Sequence, residues 1–214
     1  MLINRKRKTK NPCHICGFSK GFAENDSSAI LCLCHEIKKK NSQTKLLLII
    51  HYKELKRTTN SGKLAVAALE NSELLIRGLI DKPLDLTSHL DSSSEKKYES
   101  LLFFPSSESH ELTTDFISQF SKPIQLIVPD GNWRQASKVA SRHKELASLP
   151  KVMIAHENKA EYHLRKETNP CGMSTLEAIA RAFEIIDSHE VGNYLMKLYQ
   201  LKLQKTLLGR GIKS

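Results

Sequence analysis

Four of the five cysteines lie close together near the amino terminus. They form two pairs, Cys13-x2-Cys16 and Cys32-x-Cys34, with fifteen residues between the pairs. A Cys-x2-Cys pair lets two thiolates reach one ion from a tight turn, and a second pair completes the tetrahedral set that zinc prefers. The spacing predicts a closed, structural zinc site, and free buried thiols are the alternative. The predicted ligands are Cys13, Cys16, Cys32 and Cys34.

Other residues around the cysteines have less specific roles. His14 and His35 adjoin them and could replace a thiolate, while Gly17 suits a turn that requires a positive φ. Cys171 stands alone and is interpreted as a small buried side chain. Clustered cysteines in a chain with no secretion signal favour a metal site in the reducing cytoplasm.

Polar, turn-forming residues directly follow several apolar runs. The four clusters cover residues 51–62, 105–107, 129–135 and 162–165. In open parallel sheets, ligands bind beyond the carboxyl ends of the strands, so we expect the clusters to converge on one edge.

Each cluster also has a structural explanation. Asn60 or Ser61 could cap a helix, and Asp130 or Asn132 could cap the next one. Trp133 shares a helical stripe with alanines, which favours core packing. Residues 174–177 read Ser-Thr-Leu-Glu, a capping box.

Strand-like and helix-like segments alternate along the chain, which predicts an α/β fold with a largely parallel sheet and helices on both faces. The expected strands cover 45–51, 74–80, 101–104, 124–128 and 152–155, and the expected helices 60–70, 112–120, 133–143, 174–187 and 192–208. We divide the chain into a basic tail (1–12), a cysteine module (13–40) and an α/β domain (41–214).

Composition narrows the function. The chain has 214 residues, a formal net charge of +10 and 40% hydrophobic residues, so it can bury a core. The charge suggests a polyanionic partner, and a merely soluble basic protein is the alternative. No apolar run is long enough for a membrane helix, and no membrane partner is expected. The fingerprints GxGxxG, GxxxxGK[S/T], GxSxG and HExxH are absent, which removes support for P-loop, dinucleotide, hydrolase-elbow and HExxH metalloprotease chemistry.

Several motifs together resemble the DTW-domain family. The central one is the run 126–136, LIVPDGNWRQA. The others are HYKE at 51–54, TNSGKL at 59–64, LFFP at 102–105, YHLR at 162–165 and STLEAIA at 174–180, with the cysteine pairs upstream. Asn132 stands where the family signature has Thr.

This resemblance implies a fold related to the SPOUT methyltransferases, with a knotted core and bound S-adenosylmethionine. It implies transfer of the 3-amino-3-carboxypropyl group to N3 of a uridine in tRNA. The alternatives are an RNA methyltransferase of the same fold and a non-catalytic zinc-containing RNA-binding protein. The oligomeric state and the modified position stay open.

The resemblance also assigns site residues. The catalytic set is Asp130, as the general base, with Asn132 and Trp133. The donor-binding set is Pro105, Ser106, Pro129, Gly131, Arg165, Ser174, Thr175 and Glu177. The substrate-binding set is His51, Glu54, Arg57 and Asn60. The cysteine module, the basic tail and the cations Lys197, Lys202, Lys205, Arg210 and Lys213 are expected to grip the tRNA.

Overall fold

The computed structural model describes residues 12–18, 22–23, 26–90, 96–155 and 172–209. Its main feature is a six-stranded sheet in which every pairing is parallel. In spatial order its strands are β4 (Ser72–Arg77), β3 (Lys45–His51), β7 (Ile124–Asp130), β5 (Glu99–Phe103), β8 (Lys151–Met153) and β6 (His110–Glu111). A two-stranded antiparallel hairpin, β1 (Phe22–Ala23) and β2 (Asp26–Ile30), lies outside this sheet.

Helices cover both faces of the sheet, as expected. They are α1 (Gly62–Ala68), α2 (Thr114–Ile117), α3 (Trp133–Arg142), α4 (Thr175–Ile186) and α5 (His189–Leu208). Short 3-10 turns occur at Cys34–Glu36, Tyr52–Glu54 and Lys144–Leu146.

Successive side chains along each strand point to opposite faces of the sheet, so each strand contributes to two hydrophobic clusters. In β3, Leu46 and Leu48 belong to the hydrophobic cluster shared with α1, α4 and α5, whereas Leu47 and Ile49 belong to the cluster shared with α3. All residues from 46 to 50 are fully buried. This explains the unbroken apolar run, because a strand covered on both faces has no solvent side.

The cysteine segment packs on the same core as the sheet. Cys13, Cys16, Phe18 and Leu33 are buried in the cluster that also contains Leu46 and Leu48. The domain boundary at residue 40 stays a prediction, and so does the knotted crossing, since residues 156–171 lie outside the described part of the chain.

Three elements differ from the expectation. The helix expected over 112–120 is the four-residue α2, because Thr113 caps its start and Ser118 already ends it. The hairpin and β6 were not predicted, since β1 and β6 have only two residues each and the five-residue β2, DSSAI, does not alternate apolar and polar side chains. Among the described residues, no helix is both long and apolar enough to cross a membrane.

Candidate active site and metal site

The candidate active site lies at the carboxyl edge of the sheet, where β7 loses one neighbour. The pairing of β7 with β3 continues to Ile50↔Asp130, but its pairing with β5 ends at Leu102↔Ile127. Pro129 lies in this portion, where its missing N–H removes no bond to β5. The end of β7 therefore places Asp130 next to β3 but beyond the last residue of β7 that pairs with β5.

The Asp130 carboxylate joins the starts of two helices. Its side chain is 4% exposed, and one oxygen accepts a 2.5 Å hydrogen bond from the Asn60 amide beside α1. The other oxygen accepts a 2.5 Å bond from the hydroxyl of Thr175, the first residue of α4. A Cβ on Gly62 would lie 2.9 Å from Asp130 Oδ2, so only glycine fits there.

A second contact fixes the two helix starts to each other. Ser61 is 3% exposed, and its hydroxyl accepts a 3.1 Å bond from the backbone N–H of Leu176. Ser61 makes no side-chain cap on α1, while Asn60 Oδ1 lies 3.4 Å from the Lys63 N–H. Of the two predicted caps, only Asn60 bonds to its own helix, and weakly.

The predicted capping box of α4 forms only in part. Ser174 caps the helix by accepting a 3.3 Å bond from the Glu177 N–H. The Glu177 carboxylate does not return to the cap, because Arg181, one turn further on, binds it at 3.2 Å. Glu177 Oε2 and Arg181 Nε are both buried and have no hydrogen-bond partner within the described residues. These two atoms could bind a ligand.

The start of α3 carries the two other predicted catalytic residues. Asn132 caps the helix, accepting from the Gln135 N–H at 2.9 Å, and its own N–H donates to Gln135 Oε1 at 2.8 Å. Core packing was the wrong interpretation of Trp133, which is 60% exposed and stacks on Phe104 at 5.2 Å. The helix buries Ala136 and Val139 instead. A Cβ on Gly131 would lie 2.9 Å from Gln135 Cβ, which explains the glycine.

The loop after β3 holds the predicted substrate-binding residues. His51 Nδ1 accepts from the Lys53 N–H at 3.3 Å, and its ring stacks on Tyr52. Burial, then the charges of Arg77 and Lys53, lower the pKa of His51. Glu54 is fully buried and pairs with half-exposed Arg57 at 2.9 Å.

The loop after β5 is held by its own hydroxyls. The Ser106 and Ser109 hydroxyls lie 2.8 Å apart, and Ser109 also donates to the Phe104 carbonyl at 2.7 Å. Pro105 is exposed between them. The turn follows Phe104, whose ring stacks on Trp133. The donor-binding role of Pro105 and Ser106 stays a prediction.

The four predicted zinc ligands converge. Their sulfur atoms all lie within 4.8 Å of one another, with Cys13–Cys34 at 3.4 Å and Cys16–Cys32 at 3.6 Å. Zinc–sulfur bonds of about 2.3 Å in a tetrahedron require sulfur separations of about 3.8 Å, so the set fits zinc. His14 and His35 are exposed and outside it. Gly17 has a φ of 77°, as the knuckle turn requires.

Thiol acidity within the cluster is uneven. Burial raises the pKa of Cys13, but bonds from the backbone N–H groups of Cys16 and Ile15 outweigh it and lower this pKa to about 6. Burial raises the pKa of Cys16 and Cys34, whose neighbours are the other thiols. A cation bound by all four would release the remaining protons.

Two buried lysines tie the cysteine knuckle to the active-site loop. Lys63 Nζ donates to the carbonyls of His14 at 2.8 Å and Leu55 at 2.6 Å. Lys202 Nζ donates to the carbonyls of Cys16 at 2.8 Å and Thr58 at 2.9 Å. We call these two residues the lysine clamp. Each member bonds once to the knuckle and once to the loop that leads to Asn60.

The clamp corrects one expectation. Lys202 was expected to grip tRNA, yet it is fully buried, and burial lowers its pKa to about 8 against the opposing effect of the nearby cysteines. It lies on the buried stripe of α5 with Leu195, Leu198 and Tyr199. The sequence did contain a sign of this burial, because Lys202 occupies an apolar position of the helical pattern of α5. We had counted it only as one of the cations near the carboxyl terminus.

Among the predicted residues, the structure brings Asn60, Asp130 and Thr175 into direct contact. His51, Glu54 and Arg57 lie on the loop that ends at Asn60, and Asn132 and Trp133 begin α3. Arg165 and the motif around it, with Cys171, lie outside the described residues. Sequence reasoning missed the roles of Ser61, Lys63 and Lys202.

Comparison with known protein families identifies the family of the chain. The family model described as DTW domain matches residues 26–207, which is most of the chain. This chain belongs to the DTW-domain family. A relative in this comparison, tRNA-uridine aminocarboxypropyltransferase 2 of Drosophila melanogaster, is 24% identical over 188 residues, covering 86% of this chain and 67% of the relative.

A solved structure is also similar to this DTW-domain chain. It is the SAM-dependent rRNA:acp-transferase Tsr3 from Vulcanisaeta distributa, with 17% identity and a TM-score of 0.45, over 78% of this chain and 79% of that one.

Proposed function

We propose that this DTW-domain protein transfers the 3-amino-3-carboxypropyl group of S-adenosylmethionine to N3 of a uridine in tRNA. Membership of the DTW-domain family and the named activity of the fly relative support the reaction class. The observation that carries the proposal is the bonding of Asn60 and Thr175, from two separate family motifs, to the Asp130 carboxylate of a third.

The reaction forms a bond between uridine N3 and the γ-carbon of the methionine chain, while the sulfur–carbon bond breaks and methylthioadenosine leaves with its electron pair. The N3 proton must be removed. Asp130 is the proposed base. Its two oxygens accept hydrogen bonds from Asn60 and Thr175, which orient the carboxylate at the edge of the sheet.

The proposed donor-binding residues lie near the start of α4 and around Asp130. Glu177 Oε2 is a buried carboxylate oxygen with no partner in the described residues, which fits the ammonium group of the donor. The ring of Trp133 is exposed and suited to stacking on adenine or uracil. Arg165 is the proposed partner of the donor carboxylate.

The proposed role of zinc is structural. Four thiolates close the coordination sphere and leave no position for a substrate. The lysine clamp gives the knuckle a mechanical role, because it supports the loop that ends at Asn60.

The test is incubation of the purified protein with unmodified tRNA and S-adenosylmethionine, followed by mass analysis of the nucleosides. A uridine carrying the aminocarboxypropyl group supports the proposal, and methylthioadenosine should appear in equal amount. A methylated nucleoside would replace it with the methyltransferase alternative. Absence of both products, together with no calorimetric binding of S-adenosylmethionine, would contradict an enzymatic role.

A further inference from the structure

Helix α3 carries an unusual charge distribution. Its ten residues, WRQASKVASR, include three cations and no acidic residue. Arg134, Lys138 and Arg142 recur every four residues, so they lie along one side of the helix over about 12 Å. The opposite side buries Ala136 and Val139 against the sheet.

A fourth cation joins this row from the sheet. Arg77, the last residue of β4, donates from Nε to His143 Nε2 at 3.2 Å and from its terminal nitrogen to the Lys138 carbonyl at 3.4 Å. These bonds hold the guanidinium in place beside α3. We call Arg77, Arg134, Lys138 and Arg142 the α3 cation row.

The described residues do not neutralise the row. Within the described part of the chain, no ion pair with a carboxylate involves any of its four members. The pKa of half-buried Lys138 is lowered first by Arg142 and then by Arg134. Burial and Arg142 lower the pKa of Arg77. Like charges held together without anions destabilise the folded protein, and a bound polyanion removes that cost.

Helix stability does not explain the row. A cation in the last turn, such as Arg142, interacts favourably with the helix dipole, but Arg134 lies in the first turn, where a cation is unfavourable. The first turn also follows Asp130 by only a few residues, so the row starts at the candidate active site and runs away from it.

We propose that the α3 cation row binds the phosphate backbone of the substrate RNA on one side of the modified uridine. The identity of the RNA as tRNA rests on the proposed function. Phosphate oxygens match the geometry of the row. Arg134 and Arg142 can each bind a phosphate bidentately, and Lys138 supplies a point charge between these two arginines. The contacts position the strand without reading its bases.

The experiment measures the affinity of fluorescently labelled tRNA by anisotropy over a series of KCl concentrations. The test variant is Lys138→Ala/Arg142→Ala, which leaves Arg134 and Trp133 at the helix start intact. The control is Lys97→Ala, an exposed lysine two residues before the start of β5, at the opposite edge of the sheet. Each lost phosphate contact lowers the slope of log Kd against log salt by about 0.7–0.9.

We expect the double variant to lose about 1.5 units of this slope and to bind tRNA about tenfold more weakly at moderate salt, with the control unchanged. Its KM for tRNA should rise, while kcat and calorimetric binding of S-adenosylmethionine stay the same. An unchanged slope in the double variant, or an equal loss in the control, overturns the proposal.

Two further measurements distinguish this inference from the proposed function and from binding to a membrane surface. If the double variant loses salt-dependent tRNA binding but the parent protein forms no aminocarboxypropyl uridine, the RNA surface stands and the proposed function fails. If the product forms but the slope is unchanged in the double variant, the proposed function stands and the RNA surface on α3 fails. Vesicles of phosphatidylcholine and phosphatidylserine serve as the other polyanion, and loss of vesicle binding with tRNA binding intact would assign the row to a membrane surface and overturn the proposal.

Discussion

The bond between Thr175 and Asp130 can be removed almost without changing volume. Thr175→Val replaces the hydroxyl by a methyl group, while Thr175→Ser keeps the hydroxyl and removes the methyl. The lost bond is a 2.5 Å contact to a buried carboxylate. Hydrogen bonds to charged groups contribute about 1.5–3 kcal/mol, and half-buried Thr175 belongs at the lower end of that range.

We therefore expect Thr175→Val to lower the free energy of unfolding by about 1.5–2 kcal/mol. For a domain of this size that corresponds to about 3–8 °C in Tm. Urea unfolding followed by circular dichroism measures the change, with zinc content measured alongside. Thr175→Ser should stay within about 0.5 kcal/mol of the parent protein. Equal stability of the Val and Ser variants would refute the hydrogen bond as a stabilising contact.

Activity tests the same contact independently. Loss of one of the two groups that orient the Asp130 carboxylate should lower kcat about 10- to 100-fold. Because Asn60 and Thr175 bond to the same carboxylate, a double-mutant cycle of Asn60→Ala with Thr175→Val should show an interaction energy of at least about 0.5 kcal/mol. Additive effects would mean that the two bonds do not share one carboxylate.

Three further predictions concern other parts of the structure. Asp130→Ala should abolish transfer while the protein stays folded and zinc-loaded, and near-normal turnover would remove Asp130 as the base. Lys202→Met leaves the Cys16 and Thr58 carbonyls without their donor; it should cost about 1–3 kcal/mol and speed zinc loss to a chelator, whereas exposed Lys197→Met on the same helix should do neither. Burial and Arg77 lower the pKa of His143 below 6.5, so the folded state binds fewer protons than the unfolded state. Its contribution to stability should be complete above pH 6.5 and decline as the pH falls below it, and His143→Gln, compared with the parent in urea unfolding at pH 7 and pH 5, should remove that part of the acid sensitivity.

The strands and helices that bury a continuous stripe could be predicted from the sequence. Residues 46–50 are apolar without interruption because helices cover both faces of β3, and the strand predicted over 45–51 has the bounds that the structure shows. The four-thiolate cluster was predictable too, because the Cys-x2-Cys spacing restricts two ligands to one turn. Short elements such as β6 could not be found, because they are formed by pairing to β8 and not by their own composition.

The candidate site was predicted in its members more than in its bonds. Family motifs named Asn60, Asp130 and Thr175, but not that one carboxylate connects them. Asn132 and Ser174 proved to be helix caps, as their residue types allowed. Trp133 was assigned to the core because alanines share its stripe, and its exposure follows from its position on the first turn, beyond the end of the sheet.

The lysine clamp affects the order in which native contacts form during synthesis and folding. Lys202 and Cys16 are 186 positions apart, so the turn that holds Cys16 depends on a side chain from α5. Contacts between such distant residues require closure of a long loop and form late in folding. During synthesis, the cysteines leave the ribosome long before α5 exists. An ion bound by the nascent cysteine knuckle would therefore precede the synthesis of Lys202, and the loop leading to Asn60 would gain its final support only once α5 is made.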